Sequence, residues 1–286
     1  MSPDVKTVAR RATRRAHDLY ARATHDQRSL PTFLIIGGQR CGTTTLFKAL
    51  AQHPGVLGAN LRKGVHYFDL HYDRPLSWYR SHFPTKRQAN ALAAEHGYKT
   101  NIGESSPYYL WHPLAASRIA ADLPDVRLLV LLRDPAERAY SAHAHERARG
   151  FENETFERAL DLEESRIAGE AERLAKDPAA RSTSHQHHAY VARGQYIEQL
   201  EQVEKQVGRD RMLVVDSQDF WSQPETIWPS VTDSLALPPD PVSFQQHNAR
   251  SRSTMSEDLR DRLSTHYESF DERLASWWGR TPSWRR

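Results

Sequence analysis

Apolar residues in this chain gather into short unbroken runs. That is the pattern of strands covered on both faces in a parallel sheet, and not of half-exposed strands, which alternate. Phe33 to Ile36 is the first run, Val56 to Gly58 a second, and a third ends at Glu104. Arg127 to Leu132 (RLLVLL) is the clearest, and Arg211 to Val215 closes the series. Segments of helical composition lie between and after them: LFKAL behind the first run, LAASRIAADL from Leu114, Ala136 to Arg149, Phe156 to Ala175, a helix reaching Val207, Pro224 to Leu235 and Ser256 to Ala275. Strands and helices in alternation predict a three-layer α/β/α fold with a central, mostly parallel sheet. No internal repeat and no boundary interrupts the chain after Pro31, so the expected organisation is a basic extension over 1–30 followed by one domain over 31–286.

Composition narrows this little. The 286 residues, 38% of them hydrophobic and 26% charged, are ordinary for a globular protein. The longest apolar run, Leu128 to Leu132, falls far short of the roughly 20 residues that cross a bilayer, and the N-terminus lacks the apolar centre of a signal peptide. A soluble, cytoplasmic protein is therefore expected. A net charge of +3 gives no reason to invoke nucleic acid. The first thirty residues are basic, from Lys6 to Arg28, which suits a solvated arm or a weak contact with an anionic membrane surface. Cys41 is the single cysteine, so no internal disulfide forms. The polar segment from Asp177 to His188 reads as a flexible loop. Its His185, His187 and His188 have no cysteine or paired carboxylate to complete a ligand set, so no metal is expected.

Candidate chemistry concentrates in PTFLIIGGQRCGTTTLFKAL, from Pro31 to Leu50. A strand, a glycine turn and a helix start in succession bring unpaired N–H groups and the positive end of a helix dipole to one point, where an anion binds. Gly37 and Gly42 have the spacing of a phosphate loop, but Thr43 stands where a nucleoside triphosphatase carries lysine. Arg40 supplies the cation from inside the loop. Arg40, Cys41, Gly42, Thr43 and Thr44 are thus the candidate anion contacts, with Cys41 a small filler more than a nucleophile.

GGQRCGTTTL, followed by KGVHYFD, GESSPYYL and LVLLRDPAERAYS, resembles the sulfotransferases that use 3′-phosphoadenosine-5′-phosphosulfate (PAPS), especially the heparan-sulfate-type branch and its bacterial relatives. The resemblance runs from about Pro31 to the last helix. It implies transfer of a sulfuryl group from PAPS, without a metal, to a hydroxyl or amine of an acceptor, with carbohydrate or glycolipid the candidates. It also implies that Arg133, just after the fourth strand, and Ser141, two helical turns on, hold the 3′-phosphate. Arg193 and Tyr196 match a segment bordering nucleotide and acceptor. Arg250 and Arg252 fall where the family closes a basic loop over the nucleotide.

One departure stands out. Family members commonly carry a glutamate two residues before the histidine of KGVHYFD as general base, and this chain has Gly64. His66, Asp69 and Glu104 remain as candidates to take the acceptor proton, while Lys63 suits the sulfonate or the bridging oxygen. Two other functions are compatible with the loop: a phosphate-loop kinase or nucleoside triphosphatase, and a nucleotide-binding protein with a decayed active site. The first calls for a loop lysine and an acidic strand end to hold magnesium, whereas here the strand ends in Arg133.

Overall fold

The computed structural model describes residues 20–60, 62–244 and 254–286. Five parallel strands, β1 (Phe33–Gly37), β2 (Val56–Gly58), β3 (Asn101–Ser105), β4 (Arg127–Leu132) and β5 (Met212–Asp216), form one sheet in the order β2-β3-β1-β4-β5. The apolar runs are strands because helices cover both faces. Leu128 through Leu132 show no exposed surface, and burial of each such side chain contributes about 1.5–3 kcal/mol. The chain winds from β1 to one side of the sheet and crosses to the other at β4. The carboxyl edge between these two strands is the crevice where open α/β sheets hold ligands.

β1 and β4 pair in register from Phe33↔Arg127 to Ile35↔Leu129, then shift so that Gly37 faces Val130. That irregularity starts the glycine loop. A second, smaller apolar cluster joins helix Pro135–Ala148 to helix Phe156–Ile167 and to the buried rings of Tyr190 and Tyr267.

Three expectations change. The charged stretch over 156–175 is two helices, because Gly169 at φ 71° takes a left-handed conformation and starts a new one, Glu170–Lys176. The polar segment over 177–188 is not a flexible loop. It contains helix Thr183–His187, capped by Ser182, whose side chain accepts from His185 N at 3.0 Å. His185 and His187 are buried there. His185 stacks on Trp111 at 4.9 Å, and His187 Nδ1 lies 3.0 Å from Glu146 Oε2. These partners are distant in sequence, so local polarity hid them. Finally, the stretch before Pro31 is anchored: Ala21 is buried, and Arg28 Nη1 donates to the Phe83 carbonyl at 2.7 Å.

Residues 1–19 of the basic arm, and Arg250 and Arg252, lie outside the described residues. Among the described residues, no helix is long and apolar enough to cross a membrane, and no group of three metal-ligating side chains occurs.

Candidate active site

The loop after β1 hugs β4. Gly38 N donates to the Leu131 carbonyl at 2.7 Å, prolonging the strand pairing by one bond. Gly42, at φ 94°, sits at the N-cap of helix Thr43–Leu50 in a conformation that a side chain would strain. The first-turn N–H groups and the helix dipole therefore point into the crevice. Cys41 is fully buried with Sγ 3.6 Å from the Tyr196 hydroxyl, and burial pushes its thiol pKa up. Such a thiol is inert, as a filler should be. Tyr196 in turn donates to the Arg133 carbonyl at 2.9 Å and is buried, so it clamps the loop to the end of β4 and offers no surface to a ligand.

Arg40 and Ser141, placed by sequence at opposite ends of the nucleotide, meet here: Arg40 Nε donates to Ser141 Oγ at 3.1 Å. Arg133 Nη1 is 3.5 Å from the Arg40 carbonyl, and its other nitrogen pairs with Glu137 at 3.4 Å. That pair is partly exposed and long, hence weak and replaceable by a phosphate dianion. Arg193 acts from behind the loop. It is buried, donates to Gln39 Oε1 and to the Gln186 carbonyl (2.9 Å), and lies 5.0 Å from the Tyr108 ring. Gln39 also donates to Glu146 at 3.3 Å. Arg193 therefore reaches the crevice only through Gln39.

The segment following β2 is pinned to the end of β3. Ser105 N donates to the Lys63 carbonyl (2.9 Å), Val65 N to Glu104 Oε2 (2.7 Å) and His66 N to Ser106 Oγ (3.0 Å). Gly64 is the point of closest approach: a Cβ there would lie 2.4 Å from the Ser105 carbonyl oxygen and 2.9 Å from Ser106 Oγ. Glycine at this position is thus required by the packing, and no glutamate side chain fits without moving the backbone.

Glu104 is held by the same network. It has no exposed surface and accepts from Val65 N, Ser106 Oγ (2.6 Å), Tyr109 OH (2.7 Å) and Tyr79 OH (3.0 Å). Four donors fill the lone-pair sites of a carboxylate. Burial raises its pKa, opposed by these hydrogen bonds. Glu104 is accordingly an anchor for the segment 63–66 and not a group facing an acceptor.

Lys63 Nζ donates to Thr44 Oγ1 at 2.8 Å, which joins this segment to the phosphate loop. Burial lowers its pKa to about 8, against the pull of Glu104. His66 begins the short helix Tyr67–Leu70, and its Nδ1 lies 2.9 Å from Asp69 Oδ2. Asp69 is buried and the imidazole is 36% exposed, so Nδ1–H is held by the carboxylate while Nε2 is left toward solvent. Burial alone would lower the His66 pKa; the hydrogen bond and charge of Asp69, helped by Glu104, outweigh it and the pKa is raised. Among the described residues only Arg40, His66 and Ala236 are non-glycines with positive φ. Two of the three are candidate active-site side chains, and backbone strain of about 1–3 kcal/mol concentrates at functional sites.

The sequence left Gln39, Ser106, Tyr109 and Tyr79 without roles. The first three stand in the stretches GGQRCGTTTL and GESSPYYL, and their position there was the available signal; Tyr79 gave none beyond its aromatic surroundings.

A parallel sheet whose winding reverses at β1 and β4, with a glycine loop, a helix start and two arginines on that edge, defines a phosphate-loop α/β protein suited to a polyanionic ester. Lysine is absent from the loop and β4 gives way to Arg133 where a magnesium-holding acid would be needed, so nucleoside triphosphate hydrolysis is a poor match. The chain belongs to the sulfotransferase family: the family model described as Sulfotransferase domain matches residues 30–275. The membrane-associated sulfotransferase kil1 of Dictyostelium discoideum is 24% identical over 90% of this chain and 67% of its own length. The bifunctional heparan sulfate N-deacetylase/N-sulfotransferase 1 of Caenorhabditis briggsae is 27% identical over 77% of this chain, which spans only 24% of that protein. A solved sulfotransferase from Alicyclobacillus acidocaldarius is 26% identical with a TM-score of 0.66, covering 90% of this chain and all of that one. The protein is thus an enzyme of sulfuryl transfer, and PAPS is the general donor of its family.

Proposed function

We propose that the chain transfers the sulfuryl group of PAPS to a hydroxyl or amine of a carbohydrate or glycolipid, with His66 as general base. Arg40, the loop N–H groups of Gly42 to Thr44, and Lys63 hold the 5′-phosphosulfate; Arg133 and Ser141 hold the 3′-phosphate. His66 Nε2 takes the acceptor proton as the acceptor oxygen or nitrogen attacks sulfur in line. The bond from sulfur to the bridging oxygen breaks, and its electron pair leaves with the 5′-phosphate of adenosine 3′,5′-bisphosphate. Arg40 and Lys63 stabilise that growing charge more in the transition state than before it. Asp69 holds the imidazole in the tautomer that exposes Nε2 and favours the imidazolium once formed.

The observation that carries this reading is the bond from Lys63 to Thr44, since it brings the segment bearing His66 against the phosphate loop. The packing around Gly64 supports the choice of base, because it leaves no room for the usual glutamate while Glu104 is fully engaged. Labelled sulfate from PAPS, incubated with a panel of saccharide acceptors, tests it. Transfer lost in His66→Ala is expected; absence of transfer to every acceptor, with bisphosphate still bound, would indicate a decayed active site instead.

A further inference from the structure

Gln39 lies in the phosphate loop but has no task in the transfer step. It precedes Arg40, whose backbone stands at φ 70°, a left-handed conformation that a non-glycine residue keeps only when its surroundings fix it. Around this turn the Gly38 carbonyl accepts from Cys41 N at 3.1 Å, and Arg40 Nε donates to Ser141 Oγ. The Gln39 side chain adds a further restraint. Its amide bridges two buried charged groups: Arg193 Nη1 donates to Oε1, and Nε2 donates to Glu146 Oε1 at 3.3 Å. A guanidinium has no acceptor and a carboxylate no donor, so these partners admit a single orientation of the amide.

Both ends of the bridge are themselves held. Burial would raise the Glu146 pKa, but the hydrogen bond and charge of His187, joined by Arg149, lower it, so the group stays an acceptor. Oε2 accepts from His187 Nδ1 at 3.0 Å and from Arg149 Nη1 at 3.2 Å, while Oε1 is turned to Gln39. The His187 ring is stacked on Phe151, with centroids 3.9 Å apart and planes 4° from parallel. At the other end, Arg193 Nη2 donates to the carbonyls of His185 (3.2 Å) and Gln186 (2.9 Å). Helix Thr183–His187 therefore grips both partners of the amide. Helix Pro135–Ala148 holds the turn as well, since its Ser141 meets Arg40 and its Glu146 meets Gln39.

We infer that Glu146 and Arg193 are positioning residues for sulfuryl transfer: through the Gln39 amide they hold the Arg40 turn in the conformation that presents its guanidinium to the 5′-phosphosulfate. This rests on the sulfuryl-transfer reading above and adds to it residues that act only through the loop.

Calorimetry on the full chain with adenosine 3′,5′-bisphosphate tests it, alongside Tm and labelled-sulfate transfer from PAPS. Glu146→Ala and Gln39→Ala should each weaken bisphosphate binding about tenfold, and the double variant should be no weaker than Gln39→Ala, because one residue acts through the other. Glu146→Gln keeps an oxygen for the Gln39 N–H and should bind within about twofold of the unmodified protein, even where loss of the charge lowers Tm. In an Arg40→Ala background, Glu146→Ala should leave the remaining affinity as it is, whereas a general loosening of the fold would weaken it again. Should Glu146→Ala fail to fold, Gln39→Ala, which trims a half-buried side chain, and Glu146→Gln still decide. Unchanged affinity in Gln39→Ala, additive losses in the double variant, or a tenfold loss in Glu146→Gln each overturn the inference. If it fails alone, the unmodified protein still binds bisphosphate and transfers sulfate; if the unmodified protein does neither, the function itself falls and the inference with it.

Discussion

The protonation of Lys63 and His66 should shape the pH dependence of catalysis in opposite directions. Burial lowers the Lys63 pKa to about 8, so the side chain is an ammonium below that pH and an uncharged amine above it. A cation is needed opposite the sulfonate, hence activity should fall as pH rises through about 8. By pH 9 only about a tenth of the free enzyme would keep the charge, a tenfold loss in kcat/KM. His66 titrates above its ordinary value and serves as a base only when neutral, so activity should rise through a midpoint above 6.5. The kcat/KM for PAPS should be a bell with limbs on either side of a maximum. Bound phosphosulfate would favour the ammonium, so the alkaline limb of kcat should lie at higher pH than that of kcat/KM. Lys63→Arg substitutes a cation that does not deprotonate in this range and should erase the alkaline limb. Lys63→Ala should lower kcat/KM throughout and flatten the same limb. Labelled-sulfate transfer across pH 5.5 to 9.5 measures all of this; an alkaline limb near 8 persisting in both variants would refute the assignment to Lys63.

Other perturbations separate the remaining roles. His66→Ala should cut kcat by about 10²–10⁴ with bisphosphate affinity unchanged, and Asp69→Asn should move the acid limb to lower pH by removing the charge that raises the His66 pKa; an unchanged profile in both would transfer the base elsewhere. Arg40→Ala should cost about 2.7–4 kcal/mol of barrier, read as a 10²–10³ loss in kcat, and near-normal turnover would refute its place at the leaving group. Gly64→Ala puts a methyl group 2.4 Å from a carbonyl oxygen, and such overpacking costs about 1–3 kcal/mol. A Tm lowered by several degrees is expected, with activity falling because Lys63 and His66 share the displaced backbone. Gly64→Glu should do no better, and a variant more active than the parent would show that the segment yields.

Much of the fold was legible because buried parallel strands announce themselves as apolar runs, and RLLVLL at Arg127–Leu132 is where the sheet turns on itself. The phosphate loop was legible for a different reason: a strand, a glycine turn and a helix start are contiguous, so sequence alone assembles them. The histidines at 185 and 187 were not, since what orders them lies at Trp111 and Glu146. Glu104 misled for the same cause. Its place at the end of β3 suggested a group facing ligand, but the hydroxyls of Tyr79 and Tyr109 occupy it from the core side. Gly64 looked like a lost function in one dimension and is a packing requirement in three.

The backbone at position 64 favours the proposed histidine base over a carboxylate at that position. A carboxylate base needs a side chain projecting from position 64, but this backbone lies against the Ser105 carbonyl and leaves no space for a Cβ. The close approach is maintained by the three bonds from Val65, His66 and Ser105 that tie the segment to β3 and Glu104. Those bonds also place His66 in a left-handed conformation at the start of a helix whose third residue is Asp69, so the imidazole meets its carboxylate partner within a single turn. In the proposed mechanism the buried Glu104 would therefore act on proton transfer only indirectly, by fixing the backbone that sets the pair. Fixed geometry of this kind is what allows charges to favour the transition state without reorganising during the reaction.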